Sequence, residues 1–274
     1  MKKIKKLIAL SLVLVMSVGL FACNNDKKTE EPAKQEETAK DTDKKAEGEL
    51  YISAAASLKE SMEEIGEDFT KETGIKVNNN FGSSGALQKQ IEEGAQADVF
   101  VSAGKKQIKA LEEKGLLEND SIKDLLQNEV VIIVPEAKKG EIKTLDDVVE
   151  KAEKIAVAQT DSVPVGQYTK ESLDNLKLWD KIEDRVVLAK NVREVLAWVE
   201  QGNADAGFVY RTDAMVAKDS VVIGELDPTS YKEVIYPAAI VKDTKNKDAS
   251  QKYLDFLNSD TAKKVFEKNG FKVK

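Results

Sequence analysis

Short apolar runs alternate along the chain with stretches in which apolar residues return every three or four positions. The runs at residues 50–55, 76–80, 99–102, 130–134, 155–158, 186–189, 208–210, 221–223 and 233–241 predict β-strands. Uninterrupted Val and Ile in several of them suit strands covered on both faces. Helical spacing marks residues 57–72, with Leu58, Met62, Ile65 and Phe69 on one face, and also 86–93, 105–114, 167–176, 193–201, 251–257 and 262–268. Such alternation predicts an α/β fold with mainly parallel sheets. The strands are too numerous for one comfortable sheet, so two lobes are expected, with a ligand cleft between them. Crossing segments are placed near 130–134 and 236–241, giving a first lobe of 48–129 and 236–274 and a second of 130–235.

The N-terminus follows a different pattern. Lys2, Lys3, Lys5 and Lys6 precede an apolar run from Leu7 to Leu20, which is shorter than the ~20 residues of a membrane-spanning helix. Residues 1–22 therefore read as a signal peptide. The following Leu20-Phe21-Ala22-Cys23 resembles the bacterial lipobox, with Phe21 bulkier than usual, which implies lipidation of Cys23 and a membrane anchor through that lipid. Residues 24–47 are Lys, Glu, Asp, Thr and Gln with almost no aliphatic side chains. They cannot bury enough apolar surface to offset ordering, so 23–47 is expected to be a disordered tether.

Composition narrows the chemistry. Among 274 residues there is 1 Cys and no His, which removes internal disulfides, imidazole bases, the common triads and His-ligated metal sites. Lys+Arg 42 against Asp+Glu 49 gives a formal charge of −7. Without the four lysines of the leader, −7 becomes −11. An acidic domain with no basic, aromatic-bearing patch does not suit nucleic acid. Only Arg185, Arg193 and Arg211 supply guanidinium groups, so no cluster of arginine clamps is expected. Arg193 and Arg211 are read as surface residues, with an electrostatic role left open by their nearness to Val192 and Tyr210.

Four predicted helices start directly after strands, at Ser57, at Ser83-Ser84-Gly85, at Val163-Pro164-Val165-Gly166 and at Asn191-Val192-Arg193. Ser57-Leu58-Lys59-Glu60 has the form of a capping box. In open α/β sheets this edge is where ligands bind. Unpaired N–H groups and the positive end of the helix dipole favour an anion there. Each helix start alone is accounted for as a structural cap; several facing one cleft would build an anion site.

These segments, with Ala54-Ala55-Ala56-Ser57-Leu58, Phe81-Gly82-Ser83-Ser84-Gly85, Ala97-Asp98-Val99-Phe100-Val101-Ser102-Ala103 and Gly207-Phe208-Val209-Tyr210, resemble in order the periplasmic molybdate-binding proteins of ABC transporters. The resemblance covers residue 48 to the C-terminus. It implies the two-lobed periplasmic-binding-protein fold (type II), no catalytic residues, no cofactor and a monomer. Carried over by position, it implies that Ser57 and Ser84 bind oxyanion oxygens through hydroxyl and N–H, Val165 and Val192 through N–H, and Tyr210 through its phenol, with no direct metal ligands. The partners implied are molybdate or tungstate and a membrane permease. Val165 stands where Ala is common, and Asn191 where Asp is common. A different oxyanion such as sulfate or phosphate, an enzyme acting on phosphorylated or sulfated substrates, and a surface lipoprotein without a small ligand stay open as alternatives.

Overall fold

The computed structural model describes residues 48–274; the leader, Cys23 and the tether lie outside the described residues. The chain begins with β1 (Glu49–Ala55), α1 (Lys59–Thr73), β2 (Lys76–Gly82), α2 (Ser84–Glu92), β3 (Val99–Val101), α3 (Lys105–Glu113) and β4 (Lys123–Asn128). Next come β5 (Val130–Pro135), α4 (Leu145–Lys151), β6 (Ile155–Ala158), α5 (Pro164–Asn175), β7 (Val186–Ala189), α6 (Val192–Glu200), β8 (Ala206–Tyr210), α7 (Arg211–Met215) and β9 (Ser220–Glu225). It closes with β10 (Val234–Ile240), α8 (Lys247–Leu257), α9 (Asp260–Lys268) and β11 (Lys272–Val273).

The strands form two sheets, one ordered β11-β4-β10-β3-β1-β2 and the other β7-β6-β8-β5-β9, and each carries one lobe of an α/β fold. β5 lies wholly in the second sheet and β10 wholly in the first. The chain thus passes between sheets at Glu129 and again over 226–233, just ahead of the strands where crossings are expected.

The sheets are mixed, which corrects the expectation of mainly parallel ones. β1 pairs in parallel with β2 and β3, and β6 with β7 and β8. β10 runs antiparallel to β3 and β4, and β5 antiparallel to β8 and β9. Direction of entry is the reason. A strand arriving from the opposite lobe enters at the cleft, where the parallel strands end, and must run against them.

β5, β6 and β10 are buried along their whole length, as their apolar runs require. β2, Asn-rich and half-exposed, forms an edge, where polar side chains discourage pairing with another chain. In α1 the buried face is Met62, Ile65 and Phe69, each contributing roughly 1.5–3 kcal/mol by burial. Phe69 meets Tyr253 of α8 edge-on at 5.0 Å. The helix stops at Gly74, whose φ of 81° suits a residue without Cβ.

The Ser57 capping box does not form. A 3-10 turn over Ala56–Leu58 replaces the first helical turn, and no side chain caps α1. Buried Ser57 pairs with Tyr236 and Glu60 with Arg193. Strand β4 and helices α4 and α7 were absent from the expected pattern. Their apolar positions are too few to show a period: Lys123-Asp124-Leu125-Leu126-Gln127-Asn128 contains two.

Candidate functional site

The parallel strands β1, β2, β3, β6, β7 and β8 all end at the cleft, and the residues at or just after their ends close around one small void. Its free space is far too small for a drug-sized molecule, and it suits a small ion. Ser57, Ser83, Ser84 and Ala103 line it from the first lobe; Val165, Val192 and Tyr210 line it from the second. All are buried. The five residues expected at the site, Ser57, Ser84, Val165, Val192 and Tyr210, are thus brought together.

Local structure decides what each residue can offer. Ser83 is the N-cap of α2, its Oγ accepting from the Ala86 N–H. Ser84 Oγ accepts from the Ala103 N–H at 3.0 Å, which leaves its own proton free to donate. Ser84 and Val192 open α2 and α6, and Val165 follows Pro164 at the start of α5. N–H groups in these positions have no acceptor within their helices. Asn191 caps α6 by accepting from the Glu194 N–H at 3.0 Å, so that helix start is fixed.

Ser57 is oriented by residues that sequence reasoning missed. Asn128 Oδ1 accepts from the Glu129 N–H at 2.9 Å, which turns its amide nitrogen toward Thr212 (2.9 Å) and the Tyr236 hydroxyl (3.3 Å). Tyr236, accepting from Asn128, has its proton for Ser57 Oγ at 3.0 Å. The Ser57 proton then remains for the void. Across the cleft, the Tyr210 hydroxyl lies 3.4 Å from the Ala103 carbonyl, a long contact that leaves it ready for a better acceptor. Burial raises the pKa of both tyrosines well above the ordinary value, so each stays a neutral donor.

No Asp, Glu, Lys or Arg lines the void among the described residues. Negative charge there would be met by hydroxyls, N–H groups and helix dipoles alone. The nearest ionic groups lie one layer out and correct the surface reading of Arg193. Its guanidinium donates to Glu60 of the first lobe and sits 2.7 Å from Asp213, which is fully buried. That approach is off the hydrogen-bonding axis, and burial pushes the Asp213 carboxyl up to about 7 against the pull of Arg193. Arg211 bridges Glu129 and Glu225 where the chain crosses between lobes.

The lobes approach closely at backbone level. A Cβ on Gly85 would stand 2.1 Å from the Ser162 carbonyl oxygen of the second lobe. A larger recess at the far end of the first lobe borders Asp98, whose carboxylate already accepts from the Tyr51 N–H, Thr244 and Asn246. That recess is structural.

Residues 50–272 match the family model described as bacterial extracellular solute-binding protein. The chain is 44% identical over 231 residues to YvgL of Bacillus subtilis, provisionally named an ABC transporter substrate-binding lipoprotein, covering 84% of this chain and 88% of that protein. It is 39% identical to the molybdate-binding protein ModA of Haemophilus influenzae, covering 84% and 92%. A solved structure from Clostridium difficile, the substrate-binding domain of a provisionally assigned molybdenum ABC transporter, superposes with a TM-score of 0.64 at 44% identity, covering 82% and 98%.

Proposed function

The chain belongs to the bacterial extracellular solute-binding proteins, and from that premise we propose that it captures molybdate or tungstate between its lobes and hands the ion to an ABC transporter permease. The carrying observation is the small interlobe void, lined by hydrogen-bond donors from both lobes and by no charged side chain. A fully ionised tetrahedral dianion needs donors only. Hydrogen phosphate keeps a proton and would leave it facing other donors, a costly arrangement in a dry site.

In this reading Ser57 and Ser84 bind through hydroxyl and N–H, Val165 and Val192 through N–H, and Tyr210 through its phenol. Six to eight charge-assisted bonds at ~1.5–3 kcal/mol each, less an association cost above ~4 kcal/mol, allow micromolar to nanomolar affinity. Only the closed form engages both lobes, so binding shifts an open–closed equilibrium toward closure. The lobes are divided at Glu129 and over residues 226–233, and the protein acts as a monomer. Lipid on Cys23 anchors it to the outer face of the cell membrane, with residues 23–47 as the tether; the Leu20-Phe21-Ala22-Cys23 sequence supports this.

Thermal unfolding with molybdate, tungstate, sulfate and phosphate tests the function. Molybdate and tungstate at 100 times Kd should each stabilise by about 2.7 kcal/mol, and phosphate should not. No shift with either metal oxyanion refutes the proposal.

A further inference from the structure

Three of the segments that line the void are joined by one ion cluster outside it. Glu60 stands three residues beyond Ser57, Arg193 directly follows Val192, and Asp213 stands three residues beyond Tyr210. Arg193 Nη1 donates to Glu60 Oε1 at 3.0 Å, Nη2 donates to Oε2, and Nε faces Asp213 Oδ1 at 2.7 Å. Arg193 and Asp213 belong to the second lobe and Glu60 to the first. The Arg193–Asp213 contact therefore persists within one lobe, whereas the Arg193–Glu60 contact exists only while the lobes are together.

We propose that Arg193 is a positioning residue for ion capture: seated against Asp213, it presents its fork to Glu60 and holds the Ser57, Val192 and Tyr210 segments in binding register, which slows escape of the bound oxyanion. The inference rests on the capture reading and extends it to groups that do not touch the ion. A two-pronged guanidinium–carboxylate contact fixes orientation as well as distance. Asp213 holds the guanidinium from behind, so less side-chain freedom is lost when Glu60 arrives than in an ordinary surface pair. The two side chains retain 24% and 39% exposure, enough for salt to reach them and too little for full hydration. A lysine ammonium could not offer separate prongs to two carboxylates.

Glu60→Gln keeps the shape and removes the charge. Stopped-flow measurement of molybdate binding to the full-length protein should show dissociation about five- to ten-fold faster, as expected for a loss near one decade per 1.4 kcal/mol. Association should stay within about two-fold, because encounter with the open cleft precedes the Glu60 contact. The unfolding midpoint without molybdate should be unchanged. Added salt should quicken release from the unaltered protein more than from Glu60→Gln. Arg193→Lys, which keeps the charge opposite Asp213, should also release molybdate faster. Unchanged dissociation in both variants overturns the proposal. So does faster dissociation accompanied by a matching loss of stability without molybdate, or by an unaltered salt response. If the unaltered protein binds no molybdate, the capture reading falls and this proposal with it; if it binds and the variants release at the same rate, this proposal alone falls.

Discussion

Gly85→Ala offers a severe test of closure. Gly85 is buried at the start of α2, one residue after Ser84, and faces the backbone of Ser162 across the cleft. An added Cβ would sit 2.1 Å from the Ser162 oxygen and 2.8 Å from its carbonyl carbon, whereas ordinary contact begins at 3.4 Å. Both partners are backbone, so no side chain can turn aside. The lobes must part locally by about 0.9–1.3 Å to bring that 2.1 Å separation into the 3.0–3.4 Å range where the tightest real contacts lie. Val165 is three residues from Ser162 and retreats with it. A hydrogen bond of ~2.9 Å stretched by that amount is lost. Losing one or two charge-assisted bonds removes about 1.5–6 kcal/mol, which weakens molybdate binding from roughly ten-fold to beyond 10⁴-fold. Stability without the ion should move the other way, because Ala favours a helix over Gly by about 0.5–1 kcal/mol. Calorimetric titration with molybdate, paired with thermal unfolding of the ion-free protein, reads both signs. Affinity within three-fold of the unaltered protein would refute the reasoning.

Two further outcomes follow from buried polar groups. Tyr236→Phe removes the hydroxyl that directs the Ser57 proton, and molybdate affinity should fall by about 0.5–1.5 kcal/mol; calorimetry showing no change would take Tyr236 out of the orienting chain. Burial raises the Asp213 pKa from 3.8 to about 7, so between those values the folded protein holds a proton that the unfolded chain has released. Its contribution to stability is present below pH 4 and is lost as pH rises through 7, an effect of roughly 4 kcal/mol. Unfolding midpoints should accordingly fall between pH 5.5 and 8, and Asp213→Asn should flatten the dependence. The carboxylates held below their ordinary values, such as Asp147 at about 2 beside Lys151, act in the opposite direction and only at lower pH.

Much of this was legible in the order of residues. The Val and Ile runs of β5, β6 and β10 announce strands covered on both sides, and Ser or Asn after a strand announces a helix start. Since parallel strands deliver those starts to one edge, the helix starts at Ser57, Ser83-Ser84-Gly85, Val163-Pro164-Val165-Gly166 and Asn191-Val192-Arg193 could be grouped before any coordinates. The choice of Ser57, Ser84, Val165, Val192 and Tyr210 within and beside them rests on the resemblance to molybdate-binding proteins. Strand direction was less legible, because it depends on where the chain re-enters each lobe. The Ser57–Tyr236 pair is separated by 179 residues and Arg193–Glu60 by 133, and neither leaves a local pattern. Ser57 also shows how a correct local rule loses: its capping-box form is present, but a buried phenol is the partner tertiary packing provides.

The position of β10 between β3 and β4 has a consequence for how the molecule is made. A chain emerging from its N-terminus delivers β3 and β4 long before the strand that pairs with both, and β11, the other neighbour of β4, comes later still. All five strands of the second sheet arise meanwhile from one continuous stretch. That half of the molecule can complete its ladder during synthesis or export, while the first half waits with bare strand edges open to other chains. Nascent or truncated forms ending before Val234 are therefore the aggregation-prone species, and arrival of the segment from Val234 to Lys274 ends the hazard.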